Sequence, residues 1–139
     1  MQFITYLSFS GTCKQAFEFY AKCFGGKIDA MIPFSGAPGG GGVPAEWQDK
    51  IMHVRMSSGN QTLMGADPPP QYSTPMGGFS VSVMVDRAAE AERLFAALSE
   101  GNSKVKMPIQ ETFWADRFGM LIDQFGTPWM VNCEKKMQA

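Results

Sequence analysis

Histidine is the scarcest functional side chain. His53 is the only one in the chain, which excludes any metal site or catalytic scheme built on two imidazoles. A basic surplus is also missing: 12 Lys and Arg stand against 13 Asp and Glu, a formal net charge of −1. Without a basic cluster, nothing marks a nucleic-acid or anionic-membrane partner, and neither is expected. Cysteine is sparse and odd in number. The three, Cys13, Cys23 and Cys133, fit no metal-finger spacing and cannot all pair. They are expected as reduced, buried thiols of a cytoplasmic protein. No apolar run is long enough to cross a bilayer, and no signal-peptide pattern is visible. What remains is 139 residues, enough for one domain that buries a core without disulfides or metal. Its 11 methionines suit an adaptable core, or a plastic pocket.

What the chain does have is a repeat. Tyr6-Leu7-Ser8-Phe9 leads into a helical stretch from Thr12 to Phe24, then Gly25-Gly26, then a strand ending Met31-Ile32-Pro33-Phe34. The order recurs: Val81 to Val85, a helical stretch from Arg87 to Leu98, Gly101, and a strand ending Lys106-Met107-Pro108-Ile109. An offset of 75 relates Tyr6 to Val81, Ala16 to Ala91, Tyr20 to Phe95 and Pro33 to Pro108. Thr12 and Asp86 are good N-caps. Ala16, Phe19, Tyr20 and Cys23 share one helical face, and Ala88, Ala91, Leu94, Phe95 and Leu98 share another. Alternation from Met52 to Met56 gives a third strand, and Gly59-Asn60 turns into a fourth, Gln61 to Ala66. Strands over Phe118 to Asp123 and Trp129 to Glu134 repeat that hairpin, now at an offset of 67 from Gly59 to Gly126. Each copy is therefore βαβββ, and the fold class is α+β with two such modules in tandem: 1–67, a linker at 68–78, and 79–139. The Gly- and Pro-rich stretch 35–49 reads as a long mobile loop. Its four glycines lack the strand lead-in, helix and Lys-Ser/Thr pair of a phosphate cradle.

Several strings in this frame resemble one superfamily. They are Tyr6 to Gly11, Phe19 to Gly26, Lys50 to His53, Gln110-Glu111-Thr112-Phe113-Trp114-Ala115, Arg117 to Met120, and Phe125-Gly126-Thr127-Pro128-Trp129-Met130-Val131-Asn132. Together they resemble the vicinal oxygen chelate superfamily (glyoxalase, bleomycin resistance and dihydroxybiphenyl dioxygenase), and within it the PhnB-like branch. Some members of that branch carry a demethylubiquinone methyltransferase label, but no Gly-rich nucleotide-binding turn supports such a cofactor here. The resemblance implies paired modules with a cavity between them, often completed across a homodimer. It also implies up to four His, Gln or Glu metal ligands on the first and last strands of each module. By strand position these slots fall near Thr5 and Leu63, and near Ser80 and Met130. None is a good ligand for a divalent ion, so no metal and no other cofactor is expected.

The remaining polar candidates come from strand parity. His53 and Arg55 share the face opposite Met52, Val54 and Met56. Thr5, Ser80 and Ser82 are placed on that same concave side. An imidazole beside a guanidinium can bind an anion or move a proton; a histidine hydrogen-bonded for structure is the plainer alternative. Trp114 and Trp47 offer aromatic walls, with Gln110, Thr112 and Glu111 as polar neighbours. Glu111 is the carboxylate that could act as a base, though a loop edge solvates it. Asp123 is expected to shape a turn, and Trp129 and Cys133 to face the core. The reading that follows is metal-independent binding of a small, partly apolar or anionic ligand: His53, Arg55, Thr5, Ser80 and Ser82 hold its polar end, Trp47 and Trp114 its apolar end. Two alternatives stand beside it. One is a lyase, isomerase or dioxygenase with a relocated metal or with His53 as general base. The other is an interaction domain without ligand.

Overall fold

The computed structural model describes residues 1–136. The chain divides into two compact units, Met1–Met76 and a second from Gly77 on, so the boundary falls inside the stretch read as a linker. The first unit runs β1 (Thr5–Ser8), α1 (Cys13–Phe24), β2 (Lys27–Pro33), β3 (Ile51–Ser58) and β4 (Gln61–Ala66). The second runs β5 (Val81–Met84), α2 (Ala88–Leu98), β6 (Lys104–Gln110), β7 (Ala115–Ile122) and β8 (Pro128–Glu134). Each is βαβββ, as the repeat predicts. Within each sheet the first strand lies parallel against the last, in the orders β1-β4-β3-β2 and β5-β8-β7-β6; the other pairs are antiparallel.

The helices bury one stripe each. In α1 it is Cys13, Ala16, Phe17, Tyr20 and Cys23; in α2 it is Ala91, Leu94, Phe95 and Leu98. Phe17, not the expected Phe19, completes the i, i+3, i+4, i+7 set in α1. A glycine lies under the large ring of each helix. A Cβ on Gly65 would stand 2.6 Å from Phe17 Cε2 and 2.7 Å from the Leu7 carbonyl oxygen. One on Gly119 would stand 2.6 Å from Phe95 Cε2. The strand rows Leu7–Gly65–Val54 and Val83–Val131–Gly119 therefore face their helices.

Those rows correct the repeat. Leu7 corresponds to Val83, an offset of 76, whereas the helices start 75 apart at Cys13 and Ala88. The connection before α2 is one residue shorter than the one before α1. Tyr6 and Val81 accordingly lie on opposite faces of their sheets, because strand side chains alternate.

The caps differ from expectation as well. Thr12 sits at the N-cap of α1 and Arg87, not Asp86, at that of α2, and neither makes a side-chain capping bond. Asp67 serves α1 from a distance. Its Oδ1 accepts the N–H of Gly11 at 2.8 Å and of Cys13 at 3.1 Å, and its Oδ2 accepts that of Ile51 at 3.0 Å. In the second unit Asp123 shapes its turn as the sequence predicts. It accepts the N–H groups of Phe125 and Thr127, and the indole N–H of Trp129 at 2.7 Å. Trp129 and Cys133 are core residues.

Stretch 35–49 is folded into short 3-10 turns at Phe34–Gly36, Pro38–Gly42 and Ala45–Trp47. Gly39, Gly40 and Gly41 take successive left-handed conformations (φ 68, 66 and 63), open without strain only to glycine. The Gln48 amide donates to the carbonyls of Gly40 (3.0 Å) and Val43 (2.8 Å), and the Trp47 indole donates to that of Asp67 (3.2 Å). These ties account for the departure from an untethered loop.

Cys13 is fully buried beside Asp67. Burial first, and the Asp67 charge second, push its thiol well above the ordinary range. A folded-state pKa raised above the unfolded one gives stability that is complete below the unfolded thiol pKa of about 8.5 and is lost as pH climbs beyond it. The melting temperature is expected to fall above that pH, and to fall less in Cys13→Ala. Superimposable pH profiles for the two proteins contradict this account.

Candidate functional site

In the first unit, Leu7 and Phe9 are buried on the helix side, so Tyr6 stands on the open face. Its row across the sheet is Tyr6–Met64–Arg55–Ala30, and His53 pairs with Ile32 in the next row. The Tyr6 hydroxyl lies 3.0 Å from His53 Nδ1, and the two rings stack with centroids 5.8 Å apart at 24°. Burial, then the nearby Cys13, raises the Tyr6 pKa, so the phenol keeps its proton. When it donates to Nδ1, the neutral imidazole carries its proton on Nε2 and offers it as a donor. Arg55 is not a free cation: its Nε lies 4.0 Å from Asp29, which also faces Lys27 at 3.9 Å. Partly exposed pairs of this kind are weak and can rearrange around a ligand.

Of the candidates in this unit, the structure brings His53 and Arg55 onto one face and adds Tyr6, Met64 and Asp29. Thr5 does not join them. It is in register with Leu63, and through it with buried Met56, on the helix-facing side. The physical reason is the burial of Leu7, which fixes the parity of the whole strand. Trp47 is engaged with the Asp67 carbonyl in the turn before β3.

The open face of the second unit carries two rows. One is Ser82–Met130–Met120–Met107, the other Met84–Asn132–Phe118–Gln110. Trp114 packs edge-on against Phe118 at 5.4 Å and against Phe113 at 4.9 Å. Gln110, Ser82 and Trp114 therefore gather here, with Met84, Met120, Phe118 and Asn132 as neighbours that the sequence reading missed. The signal was available in β7: Gly119, the small residue beneath a helix, places Phe118 and Met120 on the other side. Ser80 precedes β5 and has no place in the ladder. Thr112 holds the turn, accepting the Ala115 N–H on its hydroxyl at 3.1 Å. Glu111 is exposed and faces Lys135 at 3.8 Å, the solvated edge anticipated for it.

The slots for metal ligands need the same correction. Thr5 and Leu63 do pair, but toward the helix, and Met130 pairs with Ser82 rather than Ser80. The open-face pairs are Tyr6 with Met64 and Ser82 with Met130. A phenol, a hydroxyl and two thioethers are not the donor set of a divalent cation. Among the described residues, no three His, Cys, Asp or Glu side chains cluster to supply another.

Comparison with known proteins agrees with this architecture. The family model for the Glyoxalase/Bleomycin resistance protein/Dioxygenase superfamily matches residues 3–131. Protein YjdN of Escherichia coli (strain K12) is 32% identical over 139 residues, spanning 94% of this chain and 94% of its own. The crystal structure of protein PA1353 from Pseudomonas aeruginosa superposes with a TM-score of 0.88 at 48% identity, covering 98% of this chain and 99% of that one. The PhnB protein from Bacillus cereus superposes with a TM-score of 0.78 over 96% of this chain and 99% of its own; at 20% identity the likeness is one of fold.

Proposed function

This chain belongs to the Glyoxalase/Bleomycin resistance protein/Dioxygenase superfamily, and from that premise we propose that it is a PhnB-like member that binds a small, partly apolar or anionic molecule without a metal. The observation that carries the proposal is the composition of the open sheet faces. Where metal-dependent members hold ligands, this chain has Tyr6, Met64, Ser82 and Met130. Hydrogen-bonding groups there alternate with polarizable thioethers, which suits recognition of an organic ligand better than of a cation. Cys13, Cys23 and Cys133 are buried thiols outside any disulfide, which fits the proposed cytoplasmic setting. The exposed Phe113 and Trp114 support the proposed homodimer.

The test is elemental analysis of gently purified protein, a melting scan with and without chelator, and a melting screen against small aromatic and anionic compounds. Sub-stoichiometric metal, an unchanged melting point and at least one stabilising compound are expected. Stoichiometric metal with a chelator-induced drop sinks the proposal. A dimer that no compound stabilises points to an interaction domain instead. For a hit bound at the first unit, Tyr6→Phe is expected to weaken affinity about 3- to 10-fold, the worth of one ordinary hydrogen bond.

One observation favours a catalytic second reading: His53 Nδ1 lies 3.0 Å from the Tyr6 hydroxyl, and in the tautomer whose Nδ1–H donates to that oxygen, the bare Nε2 can act as a general base. Turnover that disappears in His53→Ala, with binding retained, selects it.

A further inference from the structure

We propose that Asn132 is the anchor of the binding face in the second unit, its Oδ1 accepting an N–H or O–H donor from a neutral aromatic ligand. This rests on the binding function proposed above and adds the chemistry of the molecule bound. Asn132 is only 9% exposed, and its Oδ1 is buried with no hydrogen-bond partner among the described residues. Buried carbonyl oxygens are almost always paired, because an orphan forfeits its hydration without return. Val131 and Cys133, on either side in sequence, are buried toward α2, so the Asn132 side chain belongs to the opposite, open face. Its register partners there are Met84, which is 57% exposed, and Phe118.

The surroundings define the rest of the ligand. Phe118 and Trp114 present ring edges and faces, and Met84 supplies an adaptable thioether wall. The row Met84–Asn132–Phe118–Gln110 holds no charge. The cation of β7, Arg117, pairs with Glu92 of α2 at 2.8 Å. An acceptor without a donor, set among rings and thioethers in an uncharged row, selects a neutral aromatic with one donor.

Phenol, anisole and toluene share a ring and differ in that donor, so they are the probes. The full chain, labelled with 13C at its methionine methyls and 15N at its side-chain amides, is titrated with each by NMR. Phenol is expected to shift the Met84 methyl and the Asn132 amide, and to bind about tenfold tighter than anisole or toluene, the difference made by one buried hydrogen bond. Asn132→Leu is expected to remove that preference while sparing toluene binding. Equal binding of the three probes at these methyls overturns the Asn132 assignment and leaves the binding function standing. Probes that shift no methyl of either open face overturn both. If Asn132→Leu does not fold, the wild-type protein decides: phenol bound with an unshifted Asn132 amide overturns the assignment.

Discussion

Asp67→Ala is expected to destabilise the fold by about 4 kcal/mol, among the larger effects a single substitution produces. The side chain is 1% exposed, and its two oxygens accept three backbone N–H groups, from Gly11, Cys13 and Ile51. Alanine leaves all three donors unpaired, those of Cys13 and Ile51 buried and that of Gly11 part-buried, and each buried orphan costs about 1–3 kcal/mol. They belong to the entry of α1 and the start of β3, so the substitution loosens two elements at once. Asp67→Asn is the sharper control, since it keeps the shape but turns an amide N–H₂ toward a backbone donor. Urea unfolding midpoints for both variants check this. A loss for Asp67→Ala below about 1 kcal/mol, the level of a surface ion pair such as Arg55 with Asp29, rules out the central role assigned to the carboxylate.

Gly65→Ala is expected to cost about 3 kcal/mol by overpacking. The added methyl meets Phe17 Cε2 at 2.6 Å and the Leu7 carbonyl at 2.7 Å. Its first neighbour is a side chain and its second is backbone. Combining it with Phe17→Leu should therefore recover only part of the loss, a coupling that a double-mutant cycle reads directly. Gly59→Ala makes the contrast. Nothing lies within 4 Å of its Cβ, and its φ of 58 leaves only conformational strain, worth about 1 kcal/mol. Equal urea midpoints for Gly65→Ala and the wild type sink the argument that helix α1 is seated on that glycine.

The architecture was legible because it is written in periods. Alternation gave the strands, the 3.6-residue stripe gave the helices, and the repeat gave their order. The roles of Asp123, Trp129 and Cys133 were legible too, since each depends on neighbours within a few residues. The errors at Thr5 and Ser80 differ in kind: Ser80 has the parity of Ser82 but precedes β5, whereas Thr5 lies on the wrong face. The connection before α2 is one residue shorter, and a shift of one residue moves a strand side chain to the other face. An offset read from the helices therefore misplaced the strands, and hid Tyr6 behind Thr5. The role of Asp67 was not legible because its partners lie far away in sequence, at Gly11, Cys13 and Ile51. The role of Asn132 was not legible either, because an unpaired oxygen is visible only once its surroundings are placed.

The parallel closure of each sheet has a consequence for synthesis. β1 pairs with β4, in the register Thr5 to Leu63, so within the first unit the strand made earliest is completed by the one made latest. At about 5–20 residues per second, the intervening stretch takes roughly 3–12 s to make. Throughout that interval Leu7 and Phe9, which end up 1% and 4% exposed, travel on a nascent chain with no sheet to receive them. The same wait recurs when β5 emerges before its partner β8. Translation thus presents the cell with two successive windows of exposed apolar strand, each closed by the final strand of its own unit.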